Sequence, residues 1–381
     1  MLTPTLFQSP FLGGFECSTH RRHDGRRLDL IAATGHDRLA AEDYRSLLRH
    51  GIRTVRDGVR WHLIETSPGR YDWSSLLPML RAARELDVQV VWDLCHYGFP
   101  DGIDVWRPQF VDRFARFAAA VAALVREETD AVPFYCPVNE VAYWSWAGGD
   151  MGMMNPCEHG RGWELKHQLV RAAIAGIEAV RAVDPRARFV HVDPVINVEA
   201  RPERPEDRGE AAAYTRAQYQ SWDMTAGAFW PGLGGRPELL DIIGVNYYSD
   251  NQWFLGGGTI GRGDPLYKPF RAILADVWER YRRPILVAET GAEGDARVPW
   301  LEYVTEEVLA ACAAGIPVQG ICLYPILDYP GWSNDRHCPV GLLGFRGEDG
   351  RRPVHRPLAD ALRRQQQLID HRVRLKTAHV A

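Results

Sequence analysis

Eight short apolar runs alternate with eight longer segments of helical period along the 381 residues. That alternation constrains the fold more than any other feature. The expected strands are 12–17, 54–61, 88–94, 132–138, 188–193, 240–246, 284–288 and 318–323. The expected helices are 37–50, 74–86, 108–126, 163–183, 206–222, 265–281, 299–314 and 358–369. Gly51 and Gly315 stop two of them, and Pro108 starts a third. In 37–50 the apolar positions Leu39, Tyr44, Leu47 and Leu48 recur at helical spacing, while Arg38, Glu42, Arg45 and Arg49 take the other face. The strand runs are continuously apolar, as in a parallel sheet covered on both faces. The pattern predicts an α/β fold, a single (β/α)8 TIM barrel spanning 1–381 as one catalytic domain. Its functional residues should then sit at the C-terminal ends of the strands.

Two of the runs end abruptly in a glutamate. Phe134-Tyr135-Cys136-Pro137-Val138-Asn139 leads into Glu140, and Pro284-Ile285-Leu286-Val287-Ala288 leads into Glu289. A carboxylate at the rim of a core loses hydration and must recover it from other partners. Two of them on different strands supply what acid/base chemistry on a glycosidic bond requires, so Glu140 and Glu289 are the expected catalytic pair. The other strand ends carry Arg56 and Trp61, then Asp93, His96 and Tyr97, then Asn246, Tyr247 and Tyr248, and finally Tyr324, Asp328 and Trp332. Trp144 and Trp146 follow Glu140 closely. Carboxylates, amides and aromatic rings together suit a sugar, whose hydroxyls want polar partners and whose ring face wants a flat surface.

The bulk numbers exclude several classes. A net charge of −4 gives no electrostatic case for nucleic acid. No apolar run reaches membrane-span length. Residues 1–10 lack the basic start and apolar stretch of a secretory signal, so a cytoplasmic location is expected. The only lysines are Lys166, Lys268 and Lys376, and none ends a strand run, which removes a Schiff-base aldolase. Seven cysteines with no Cys-x-x-Cys read as structural rather than as a disulfide or zinc framework. Loop histidines at 20, 23 and 159 lack a matching ligand set, so no metal and no cofactor are expected. Gly256–Gly261 matches Gly-x-Gly-x-x-Gly formally but opens no helix directly, and reads as a loop near the site.

At these strand ends the sequence resembles the (β/α)8 retaining glycosidases, most closely the family 1 glycoside hydrolases, the β-glucosidase and β-galactosidase group. Arg56-Asp57-Gly58-Val59-Arg60-Trp61 resembles that family's Arg-Phe-Ser-x-x-Trp segment. Leu94-Cys95-His96-Tyr97-Gly98-Phe99-Pro100 is similar to its strand-three histidine segment, and Pro137-Val138-Asn139-Glu140 to its Asn-Glu motif. Gly244-Val245-Asn246-Tyr247-Tyr248 resembles its Asn-Tyr-Tyr, and Ala288-Glu289-Thr290-Gly291 its nucleophile motif. Order and spacing hold from about Leu12 to Leu362. Val141 and Thr290 replace a proline and an asparagine of the pattern. Gly331, in Asp328-Tyr329-Pro330-Gly331-Trp332, stands where the family has a sugar-gripping glutamate. The family's strand-one glutamine has Glu16 and His20 as its nearest counterparts.

The resemblance implies a β-glycosidase acting with retention through two glutamates, with an altered glycone. Glu289 would be the nucleophile, kept ionised by Arg56 and held by Tyr248. Glu140 would be the acid and then the base. Asn139 would meet the sugar 2-hydroxyl; His96, Asn246 and Glu16 would meet other parts of the sugar; Trp332 would stack, and Trp144 would add a second aromatic surface. The expected partner is a carbohydrate or glycoside substrate, with no nucleic acid and no membrane, and a homo-oligomer is open. Three rivals stand beside this reading. One is a metal-dependent barrel enzyme using His96, Glu140, Asp193 and Glu289. The others are a glycan-binding or degenerate barrel without hydrolysis and a transglycosidase on a small metabolite.

Overall fold

The computed structural model describes Leu2 and residues 4–380, with side chains to residue 371. Eight strands close a barrel: β1 Phe11–Gly14, β2 Thr54–Gly58, β3 Gln89–Asp93, β4 Phe134–Cys136, β5 Arg188–Pro194, β6 Ile242–Asn246, β7 Ile285–Thr290 and β8 Val318–Leu323. Every neighbouring pair is parallel, and the ring shuts where Phe11 and Leu12 of β1 register with Ile321 and Cys322 of β8. The principal helices are α1 His36–Arg49, α2 Leu77–Glu85, α3 Pro108–Glu128, α4 Gly162–Val183, α5 Arg208–Ala217, α6 Gln220–Thr225, α7 Phe270–Tyr281, α8 Arg297–Ala313 and α9 Arg356–Val380. The (β/α)8 architecture read from the alternation is the one observed.

The core has two layers. Leu12, Val91, Phe134, Val190, Ile242 and Leu286 fill the barrel interior, with Phe7 beneath them. A larger layer lies between strands and helices, where α1 contributes Tyr44 and Leu47 and α3 contributes Phe110, Phe114 and Phe117. Small residues let the site's floor close up. A Cβ on Gly14 would lie 2.1 Å from the Tyr324 ring, and one on Gly58 would lie 2.3 Å from Cys17. Glycine at each place admits the opposing side chain.

Several boundaries differ from expectation, each for a local reason. β2 stops at Gly58, and Trp61 opens a helical turn, Trp61–Ile64, instead of ending a strand. β4 is only three residues long because Pro137 carries no N–H for the ladder. The helix expected over 206–222 breaks into α5 and α6, and α7 begins at Phe270, immediately after Pro269. All seven cysteines are free, and six are buried. Among the described residues no helix is long and apolar enough to cross a membrane.

Candidate active site

The C-terminal ends of the strands converge on a buried arginine. Arg56, inside the barrel on β2, is fully buried, and elementary electrostatics demands that such a charge be paired. Its Nε donates to Asp93 Oδ1 at 2.9 Å and its Nη2 to Asp93 Oδ2 at 2.6 Å, a bidentate pair across β2 and β3. The same Nη2 donates to Asn139 Oδ1 at 2.6 Å, and Nη1 donates to Glu289 Oε1 at 2.7 Å. One guanidinium thus joins β2, β3, the segment after β4, and β7. Burial opposes ionisation of Asp93, but Arg56 and His96 override it and hold the carboxyl below the usual range.

Glu289 receives its second bond from Tyr248, whose hydroxyl donates to Oε2 at 3.0 Å. Both oxygens of the carboxylate are therefore met by donors. Glu140 is treated differently. It is buried, and no cation touches it. Asn246 Nδ2 donates to its Oε1 at 2.8 Å, and the Tyr97 hydroxyl donates to its Oε2. Burial first, and the charge of Glu289 second, push the Glu140 carboxyl up to about 8, against the pull of its two hydrogen bonds. Asn246, which bonds Glu140, registers with Glu289 across β6 and β7, and Arg56 bonds both Glu289 and the Asn139 that precedes Glu140, so the two glutamates converge on one cluster.

Glu140 has left-handed backbone angles, φ 46° and ψ 59°, which cost a non-glycine residue on the order of 1–3 kcal/mol. Backbone bonds hold it there: its N–H donates to Val192 O at 2.9 Å, and its own carbonyl accepts from Trp144 N at 2.8 Å. Asp193 steadies the following turn by accepting from Ala142 N at 2.8 Å. Burial lifts that carboxyl to about 7.

The other expected site residues divide into three groups. Glu16 is buried just after β1, where its Oε1 accepts from Ser18 N at 3.0 Å; burial raises its carboxyl, as does the Glu289 charge more weakly. Trp332 meets His20 at 4.9 Å and Tyr97 at 5.7 Å edge-on, and Tyr143 at 6.4 Å in a tilted arrangement, between ring centres. Asn246 touches Glu140 directly. Asn139 and His96 are placed in the site, yet their polar atoms are taken by the protein itself. Asn139 Nδ2 donates to His96 Nε2 and to the Tyr97 hydroxyl, each at 3.0 Å, and His96 Nδ1 faces Asp93 Oδ2 at 2.9 Å. They hold neighbours in position, and both hydrogens of the Asn139 amide and both ring nitrogens of His96 are engaged within the protein. Trp144 is corrected outright. It is wholly buried, its indole N–H is spent on Asn155 O at 2.8 Å, and it packs edge-on behind Tyr97, so it offers no sugar platform.

Two residues missed as site members matter as much as those found. Asp93 anchors Arg56, and its signal was the same one that marked Glu140 and Glu289: an acid ending an apolar run. Tyr97 bonds Glu140, and only its place beside His96 hinted at that. Cys17, Asp93 and His96 are the one group among the described residues whose donor atoms cluster closely enough for a metal ion, all within 4.8 Å. Both Asp93 oxygens already accept from Arg56, whose charge opposes a cation there, so the cluster reads as the anchor of the arginine.

Comparisons with known proteins support the fold. No protein-family model and no curated protein matches the sequence. A family 1 β-glucosidase from Thermotoga maritima superposes with a TM-score of 0.76 over 95% of this chain and 97% of that one, at 16% identity. Thermotoga maritima β-glucosidase in complex with glucoimidazole gives the same score and identity over 95% and 98%. The AHE enzyme from Alicyclobacillus herbarius gives 0.78 over 97% and 99%, again at 16% identity. The chain has the barrel fold of the β-glucosidases over nearly its whole length.

Proposed function

We propose that the chain is a retaining β-glycosidase of the family 1 kind, acting through Glu289 and Glu140 as one catalytic domain. One observation carries the reading: two buried carboxyls that converge on one cluster have unlike partners. Glu289 has a guanidinium at 2.7 Å and a phenol at 3.0 Å, while Glu140 has no cation and burial pushes its carboxyl up to about 8. Environments that push two titratable groups apart assign the acid and the nucleophile. The acid sits in the Asn-Glu sequence and the nucleophile at the end of β7, on a fold shared with β-glucosidases.

In the first step a Glu289 carboxylate oxygen forms a bond to the anomeric carbon. The bond from that carbon to the aglycone oxygen breaks, its electron pair stays on the oxygen, and Glu140 supplies the proton. In the second step Glu140, now a carboxylate, takes a proton from water as that water attacks the anomeric carbon, and Glu289 leaves ionised. Two inversions give net retention. Arg56 bonds the nucleophile at 2.7 Å in the resting enzyme and stabilises the carboxylate again as it departs. The glycone is recognised in a non-standard way. Gly331 carries no side chain to reach a sugar, and a Cβ there would lie 2.9 Å from Asn334 Oδ1, the tip of an exposed side chain. Glu16, a third buried carboxyl near enough to feel the Glu289 charge, takes over that grip on the sugar in this reading.

Glu140→Ala tests the roles. It should lower kcat/KM for glycosides with poor leaving groups by about 10²–10⁴-fold while sparing kcat/KM for those with activated leaving groups, whose departure needs no proton. Equal losses across a leaving-group series contradict the assignment.

A further inference from the structure

The hydrogen bonds around Glu140 run in one direction, and their starting point is Arg56. A guanidinium can only donate. Because Arg56 Nη2 donates to Asn139 at 2.6 Å, the atom it meets must be the amide oxygen, and Asn139 Nδ2 must face the other way. That NH2 group spends one hydrogen on His96 Nε2 and the other on the Tyr97 hydroxyl oxygen, each at 3.0 Å. The Tyr97 oxygen is thereby an acceptor from Asn139, and its own hydrogen has one acceptor within reach, Glu140 Oε2. Tyr97 reaches it because its backbone is left-handed, φ 65°. The ring is wholly buried and held edge-on by Trp144, Trp332 and His20.

We propose that Tyr97 is a positioning residue for the acid: it fixes the transferable proton on Oε1 of Glu140 by occupying Oε2 with a hydrogen bond whose direction cannot reverse. The inference rests on the glycosidase reading and deepens it. With Oε2 closed, a protonated Glu140 carries its hydrogen on Oε1, which keeps a lone pair for Asn246 Nδ2 at 2.8 Å. The same arginine therefore acts on both glutamates, directly on Glu289 and through Asn139 and Tyr97 on Glu140. The titratable groups facing Glu140 are Glu289 from β7, Asp193 from β5, Tyr143 from its own loop and Tyr248 after β6. Of the tyrosines, only Tyr97 bonds the carboxyl.

The test is Tyr97→Phe, which keeps the ring and removes the hydroxyl. Wild-type kcat/KM should fall as pH rises through about 8, since the acid form of Glu140 is the active one. Tyr97 holds that carboxyl down, so Tyr97→Phe should move the alkaline limb up by about one unit. Turnover of poor leaving groups should drop about tenfold more than that of activated ones. Substitution of 3-fluorotyrosine at 97, a stronger donor, should move the limb down, and it decides the matter if the phenylalanine variant does not fold. An unmoved limb in both variants, or a loss equal for all leaving groups, overturns the proposal. Infrared titration of the Glu140 carboxyl in the ligand-free protein, assigned with Glu140→Gln, separates the two claims. A shifted titration in a protein without glycosidase turnover upholds the contact and removes the function; turnover with an unshifted titration does the reverse.

Discussion

Glu289→Ala is expected to lower kcat/KM by on the order of 10⁵-fold, with every leaving group affected alike. The insensitivity to the leaving group follows from the role. Bond formation to the anomeric carbon precedes or accompanies every departure, whatever departs. Added azide should restore turnover of an activated β-glycoside, because a small anion fits the space left by the carboxylate and can be drawn toward Arg56. The product should be the α-glycosyl azide, since one displacement inverts where two retain. The assay is nuclear magnetic resonance of the product. A β-azide from this variant, or wild-type activity without rescue, contradicts the assignment of Glu289.

Arg56→Met should cost more than any other single change in the barrel interior, about 3–5 kcal/mol of stability. For a chain of 381 residues that corresponds to roughly 4–6 °C in Tm. The loss arises less from attraction forgone than from the charges left behind. Asp93 and Glu289 are buried carboxylates whose bonds to Arg56 at 2.6 and 2.7 Å would vanish together. Pairing the change with Asp93→Asn should therefore recover part of the Tm, and calorimetry of the single and double variants checks this. Activity should not recover, because Glu289 then lacks the guanidinium that bonds and orients its Oε1. A Tm within 1 °C of wild type for Arg56→Met, about the effect of 1 kcal/mol in a chain this long, would show that the arginine is not the electrostatic centre described.

How much of this was legible in the sequence varies residue by residue. The barrel was, because continuous apolar runs and helical periods are properties of single segments. Glu140, Glu289 and Arg56 were, because charged residues inside or ending apolar runs are costly wherever they occur. The directions in which polar atoms point were not. Asn139 and His96 stand where expected, but whether their hydrogens face the pocket or the protein depends on a chain of bonds beginning on another strand. Tyr97 meets Glu140 because both residues adopt left-handed backbone angles, at φ 65° and 46°, which no residue type at either position announces. Trp144 carries the aromatic signature of a sugar platform and is spent inside the core, where Asn155 takes its N–H. Trp61 looked like the end of a strand and begins a helical turn, its indole bonded to Glu65 Oε2 at 2.8 Å. In each case tertiary partners override the local pattern.

The central claim is that Glu289 attacks the anomeric carbon while Glu140 stands by as acid. Incubation with a 2-deoxy-2-fluoro-β-glycoside bearing an activated leaving group, followed by intact mass and peptide mapping, tests it most directly. One fluorosugar per chain, ester-linked to Glu289, is the predicted result. A label on Glu140 or elsewhere, or continued turnover of the reagent with no covalent adduct at any time, would contradict it.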